Sequence, residues 1–256
     1  MIKTKMNKDK IRFLIVASHR RSGTHWVIDS VLNNFEDVEY VYLTLERLLP
    51  YHNKHLSISK FRKHLNNKKI KIIKTHAGGD FAIFKKFPDI YDFIKNEVIP
   101  YSKIIHVTRD GKDILNSLFY YLKVIGITYP TFSEFIKSKN NFDNIYSEKN
   151  RVEFLKMHLD SWGKVENKLD LDYSELAVNY SGAISRISGF LSMDSKRPIK
   201  KVDLKKYNKL SRGFRRIFPA LFTSTAVLPR EGKVGGWTKN FTDFDLDFYN
   251  SIMKSE

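Results

Sequence analysis

The sequence predicts an α/β protein: a single domain with a central, mostly parallel β-sheet flanked by helices. Three observations predict it. Short runs rich in Ile and Val, at Arg12 to Ala17, Lys69 to Ile73 and Lys103 to Val107, each end in a polar or Gly-containing turn. Strands buried on both faces read this way. Helical patterns follow the first and third runs, and strands alternating with helices favour a parallel sheet. Finally, the 256 residues are 42% hydrophobic, with 19 Phe and 13 Tyr. That fills a core of ordinary α/β size and is too apolar for a disordered chain.

In chain order, Met1 to Lys10 reads as a basic N-terminal tail, and the domain is placed at residues 11–256. The apolar stretch Phe13 to Ala17 is shorter than the roughly 7–15 residues of a signal-peptide core. It is read as the first strand, and the protein is expected to be soluble and cytoplasmic. No apolar run approaches the ~18 residues of a membrane span. The first helix, from Thr24 to Leu32, sets Val27, Ile28, Val31 and Leu32 on one face. Lys112 to Leu122 does the same with Ile114, Leu115, Leu118 and Leu122. Asn150 to Lys168 reads as a longer helix through Phe154, Leu155, His158, Leu159, Trp162 and Val165. A further short strand is expected at Leu169 to Tyr173, and a final helix at Asp243 to Met253. Asn/Lys/Ser-rich loops are expected at Asn66 to Lys69 and Lys137 to Asn150.

The 45 Lys and Arg exceed the 28 Asp and Glu, giving a net charge of +17. A positive field attracts polyanions, and basic residues cluster at Lys54 to Lys74 and Lys196 to Arg216. No zinc finger, basic zipper or RRM signature accompanies them, so solvated basic faces are the plainer reading and no specific nucleic-acid partner is expected. The chain has no Cys. Disulfides, Cys-ligated zinc and Cys nucleophiles are excluded, and no His spacing suggests a metal.

Four segments carry chemistry. Arg21-Ser22-Gly23-Thr24-His25-Trp26 lies between a strand and a helix. Free backbone N–H groups at a helix start favour an anion, and an Arg fork suits phosphate or sulfate oxygens. The competing reading is Ser22 as an ordinary helix cap. Lys74-Thr75-His76 closes the second strand. Alternate residues of extended chain point the same way, which aims Lys74 and His76 at one site beyond the carboxyl end of the sheet. Arg109 leaves the third strand, with Ser117 on the helix after it, while His106 inside that strand reads as core. Arg230-Glu231-Gly232 begins a Gly-rich stretch reaching Gly235, Gly236 and Trp237, either an anion-wrapping loop or an ordinary one. His52, His55, His64 and His158 lie outside such contexts. Phe81, Phe84, Phe119, Tyr120, Tyr121, Tyr129 and Phe132 either line a pocket or fill the core.

In this order, the four segments resemble the cytosolic-type sulfotransferases, over roughly residues 12–242. The resemblance implies a P-loop NTPase-like sulfotransferase fold and a 3′-phosphoadenosine 5′-phosphosulfate (PAPS) cofactor, with adenosine 3′,5′-diphosphate (PAP) as product and no metal. Residues 21–26 look like the K/R-S-G-T-T-W loop that binds the 5′-phosphosulfate. Lys74-Thr75-His76 looks like the K-T-H segment whose His is the catalytic base. Arg109 and Ser117 match the 3′-phosphate pair, and Tyr173 matches the tyrosine near the adenine. Arg230, Glu231 and Gly232, with Gly235 and Trp237, look like the R-K-G-x-x-G-D-W loop that closes over the nucleotide. The chain departs from the pattern at Arg21 (usually Lys in animal members), His25 (usually Thr), Gly78-Gly79 (usually Leu-Pro), Glu231 (usually Lys) and Gly236 (usually acidic). The family's dimer motif is poorly kept, which leaves oligomeric state open.

The resemblance implies in-line transfer of a sulfuryl group to an acceptor hydroxyl on a small molecule, glycan or lipid. His76 would be the general base, with Lys74 and Arg21 stabilising charge. Two other readings stay open on the residues alone. One is a nucleotide or small-molecule kinase on the related P-loop fold, although G-x-x-x-x-G-K-[ST] is missing. The other is a non-catalytic polyanion- or nucleic-acid-binding protein driven by charge.

Overall fold

The structure, a computed structural model, describes residues 11–63, 69–139, 148–202 and 234–255. The basic tail at 1–10, His64, most of the 137–150 loop, and Arg230, Glu231 and Gly232 lie outside the described residues. Among the described residues there are five strands: β1 (Phe13–Ser18), β2 (Val38–Thr44), β3 (Ile70–Thr75), β4 (Ser102–Thr108) and β5 (Lys168–Asp172). They form one sheet in the order β2-β3-β1-β4-β5 with every pairing parallel. The described helices are α1 (Thr24–Asn34), α2 (Ile58–Lys63), α3 (Ala82–Lys85), α4 (Pro88–Phe93), α5 (Gly111–Val124), α6 (Phe132–Lys137), α7 (Arg151–Gly163), α8 (Tyr173–Val178), α9 (Tyr180–Leu191) and α10 (Asp243–Met253). The α/β class and the parallel sheet are as predicted. Among the described residues, no helix is long and apolar enough to cross a membrane.

The domain divides into two compact units, Met1–Thr108 with His158–Lys200, and Arg109–Met157 with Lys201–Glu256. The first holds the whole sheet. β1 is its middle strand, and all six of its residues are buried, which is why its sequence runs apolar without alternation. Register sets Ala17 beside Thr75 on one side and beside His106 on the other. The carboxyl ends of β1, β3 and β4 therefore finish together, where ligands of open α/β sheets bind. α1 buries Trp26, Val27, Ile28 and Val31 and packs against β1, β2 and α9.

In the second unit, α5 starts at an Asp110 cap that accepts the Asp113 N–H at 3.0 Å. It buries Ile114, Leu115, Leu118 and Leu122, as its periodicity predicts. α10 matches its predicted bounds and begins with a reciprocal Thr242–Asp245 capping box. Phe132 is buried against Phe119 and Phe241, with centroids 5.4 and 4.8 Å away. Phe84, in the first unit, is also fully buried. For these aromatic residues the core reading holds.

Two predicted boundaries shift, and one strand is added. β2 was not anticipated. The long helix ends at Gly163 rather than Lys168, and Val165 sits in a turn bonded back to the Trp162 carbonyl at 3.1 Å. The strand after it covers Lys168–Asp172, so Tyr173 opens α8 instead of ending β5. Asp172 causes that switch, since its carboxylate accepts the Ser174 N–H at 2.7 Å and caps the helix.

Candidate functional site

The site in the first unit grows from two adjacent strand ends. After Ser18 the chain turns through His19 to Gly23 and enters α1. Arg21 (φ 72°) and Gly23 (φ 99°) both take left-handed conformations, which curls the loop tightly. Ser18 Oγ and Thr24 Oγ1 bond across its mouth at 2.5 Å. The Ncap residue is Gly23, with no side chain capping the helix. Ser22 is therefore not a helix cap, and the competing structural reading of that serine falls. The Ser22 hydroxyl, His25 Nε2 and Trp26 Nε1 are buried with no hydrogen-bond partner among the described residues. Buried orphans of this kind beside free helix N–H groups point to a polar ligand.

Tyr173 forms the wall of this loop. A Cβ placed on Gly23 would lie 2.6 Å from Tyr173 Cδ2, and the ring packs edge-on against Trp26 at 5.1 Å. Asp172 seats it twice, by capping α8 and by accepting the Thr108 hydroxyl at 3.1 Å.

At the end of β3, Thr75 is buried while Lys74 and His76 are partly exposed, the alternation expected of extended chain. His76 Nδ1 lies 2.8 Å from the Ser18 carbonyl oxygen. A carbonyl only accepts, so Nδ1 carries the proton and Nε2 keeps its lone pair. The surrounding protein, and then the charges of Lys74 and Arg20, hold the His76 pKa well below the usual histidine range. Burial also pulls the Lys74 ammonium down, partly countered by Glu46 and reinforced by Arg20. His25 is pushed down to about 3 by burial, then by Lys74 and Arg21. Two neutral imidazoles and several cations thus share one neighbourhood. Arg20 and Glu46 escaped the sequence reading.

The loop after His76 is clamped from α7. Trp162 Nε1 donates to the Ala77 carbonyl at 3.0 Å, and the Gly79 N–H donates to Ser161 Oγ at 2.9 Å. Side chains here would collide, since a Cβ on Gly78 or Gly79 would lie 2.7 Å from Ser161 Oγ or 2.6 Å from its carbonyl oxygen. This accounts for the Gly-Gly pair. His106 is core, as expected, stacked on Trp162 at 5.1 Å and bonded through Nδ1 to Asp170 at 2.8 Å. His158 has a packing role that its sequence context did not show. It is buried edge-on to His19 at 5.4 Å.

The lowered pKa values of these histidines predict acid lability. Burial is the first cause of lowered pKa for His25, His76, His106 and His158. The unfolded chain regains ordinary values near 6.5 and so binds more protons below that pH. Stability is therefore full above about pH 6.5 and falls as pH drops, by up to ~1.4 kcal/mol per pH unit for each histidine. Urea midpoints of the nucleotide-free protein between about pH 7.5 and pH 5 check this. A midpoint that stays level over that range contradicts it.

In the second unit, Arg109 and Ser117 flank the start of α5 and a position two turns into it. Arg109 Nη2 lies 4.0 Å from the buried Asp113 carboxylate. Asp113 also accepts the Gly235 N–H at 2.8 Å and the Trp237 N–H at 3.1 Å. Asn240 Nδ2 donates to Asn116 Oδ1 at 2.6 Å, and Lys112 Nζ sits 4.8 Å over the Trp237 ring. The Gly235–Asn240 end of the fourth predicted segment is thus tied to α5 near Arg109. Asp113, the anchor, was not singled out from the sequence.

The sulfotransferase domain family matches residues 12–256. Mouse sulfotransferase 2B1 is 22% identical over 267 residues, covering 95% of this chain and 70% of its own length. Mouse sulfotransferase SULT7A1, solved in complex with PAP, superposes with a TM-score of 0.61 at 21% identity, covering 96% of this chain and 82% of the other. Retinol dehydratase, solved with retinol and PAP, gives a TM-score of 0.60 at 17% identity, covering 96% and 81%.

Proposed function

The chain belongs to the sulfotransferase family, and on that premise we propose that it moves a sulfuryl group from PAPS to an acceptor hydroxyl, with His76 as general base. The observation that carries the reading is the bond from His76 Nδ1 to the Ser18 carbonyl. It leaves Nε2 as a proton acceptor beside the β1–α1 loop, whose buried Ser22 and His25 atoms want a polar partner. That donor set fits the phosphosulfate end of the nucleotide.

When bound, the nucleotide supplies the sulfuryl group and a phosphate leaving group for in-line displacement. His76 Nε2 receives the proton of the acceptor hydroxyl. Lys74 and Arg21 hold positive charge where negative charge develops, which is the main protein contribution in such transfers. The backbone N–H groups of Ser22 to His25 and the Ser22 hydroxyl hold the 5′ end. His25, neutral at ordinary pH, offers a ring nitrogen where other members have Thr. Trp26 and Tyr173 flank the nucleotide. By the resemblance, Arg109, Ser117 and Arg230 would bind the 3′-phosphate, with Glu231 and Gly232 next in sequence.

Incubation with labelled PAPS and a panel of hydroxylated metabolites, sugars and lipids, read by mass spectrometry, should reveal a product heavier by SO₃. PAP should stabilise the protein thermally more than ATP–Mg²⁺ does. A preference for ATP–Mg²⁺ would turn the reading toward a kinase. Arg109→Ala should weaken PAP binding by about tenfold or more, the loss of a charge-assisted pair, while AMP binding changes little. Calorimetry showing equal losses for both nucleotides would remove Arg109 from the 3′-phosphate role.

A further inference from the structure

We propose that Glu46 is a positioning residue for the reaction, its carboxylate holding the backbone of Thr75 to Ala77 so that the His76 ring presents Nε2 to the acceptor. The inference rests on His76 as the base. Glu46 lies in a turn at Leu45–Leu48, directly after β2, and is buried. Its Oε1 accepts from the Thr75 hydroxyl at 2.8 Å, from the His76 N–H at 2.5 Å and from the Ala77 N–H at 3.1 Å. Its Oε2 accepts from the Thr44 hydroxyl.

The reason lies in the sheet. The β2–β3 ladder ends with Thr44 opposite Lys74. Beyond it, the N–H groups of His76 and Ala77 have no strand to bond, and buried donors left unmade are costly. One carboxylate oxygen replaces the missing strand. His76 is thereby fixed at two ends, by Glu46 on its peptide nitrogen and by the Ser18 carbonyl on its ring. Trp162 secures the Ala77 carbonyl from the other side. The tie acts on the base through the backbone and touches no reacting atom.

Two conservative variants separate position from charge. Glu46→Gln offers a carbonyl oxygen at the same reach and turns its amide toward the Thr44 hydroxyl, which can accept. Glu46→Asp keeps the charge but draws it back by one methylene, ~1.5 Å. Misplacement on that scale costs about 10²-fold, so Glu46→Asp is expected to lose about 10²-fold in kcat. Glu46→Gln should lose about tenfold or less, because the three donors keep an acceptor while Lys74 loses the carboxylate that holds its pKa up. The affinity for PAP should hold within about twofold in both, since neither touches the β1–α1 loop. Nitrogen-15 NMR of the histidine rings gives a readout independent of turnover. The His76 Nδ1–H signal should persist in Glu46→Gln and broaden or average between tautomers in Glu46→Asp. Higher activity in Glu46→Asp than in Glu46→Gln, or an unchanged ring signal in Glu46→Asp, overturns the proposal. If His76→Ala itself keeps turnover, the base assignment fails, while the ring spectrum still reports whether Glu46 sets the imidazole.

Discussion

His76→Ala is expected to lower kcat by about 10²–10⁴-fold, the usual contribution of a general base. PAP should bind as before. The ring's Nδ1 is committed to the Ser18 carbonyl, so only Nε2 can take a proton. The surrounding protein, Lys74 and Arg20 keep the ring unprotonated well below the ordinary histidine range. In the free enzyme, the acid limb of kcat/KM should fall below about pH 6.5, because the base loses activity only when it protonates. His76→Ala should remove that limb together with the rate. Affinity survives because the loop at Ser22 to His25 is built from β1 and α1, and Ala preserves the Glu46 bond to the residue-76 N–H. Rapid-quench turnover and calorimetry with PAP test the two halves separately. Turnover near the parent value would take His76 out of the mechanism.

How far these features were legible depends on which force fixes each one. β1, β3 and β4 were readable because strands in the middle of a parallel sheet are dense in Ile and Val, although β3 and β4 also carry Lys71, Lys74, Lys103 and His106. β2 was missed because it is an edge strand, where mixed composition is normal. Its segment Val38–Thr44 mixes Glu and Tyr with Val and Leu, and its β-forming residues were an available signal. The α7 end was overrun because the apolar period continues to Val165, although Gly163 is a natural stop. Tyr173 was misplaced by one element. Asp172 followed three residues later by Glu175 is a capping pattern that would have put it at a helix start. Glu46 was not legible at all. Nothing in Leu45-Glu46-Arg47-Leu48 marks that carboxylate as buried, and its role exists only because β2 ends beside β3. Lys74, His76 and the Arg21–Trp26 loop were legible from residue type, spacing and position at strand ends, which fixes where a side chain emerges but not what holds it there.

Gly23→Ala is expected to weaken PAP binding by about tenfold or more and to destabilise the fold by about 2–4 kcal/mol, from two costs that can be separated. The first is conformational. At φ 99° an L side chain is strained, at roughly 1–2 kcal/mol. The second is steric. The new Cβ would lie 2.6 Å from Tyr173 Cδ2, far inside contact distance, and Tyr173 is buried against Trp26. Asp172 caps the helix that carries it, so the ring cannot yield without loosening α8. Either the loop moves and its N–H groups lose their aim, or Tyr173 leaves its place. Tyr173→Ala opens the space and relieves only the steric part, so the double variant should be more stable than the sum of the single losses implies, by about 1–2 kcal/mol. Thermal melts and PAP titrations of the two single variants and the double variant measure this coupling. Strict additivity would mean that Tyr173 does not press on the loop, and that the absence of a side chain at residue 23 serves the backbone turn alone.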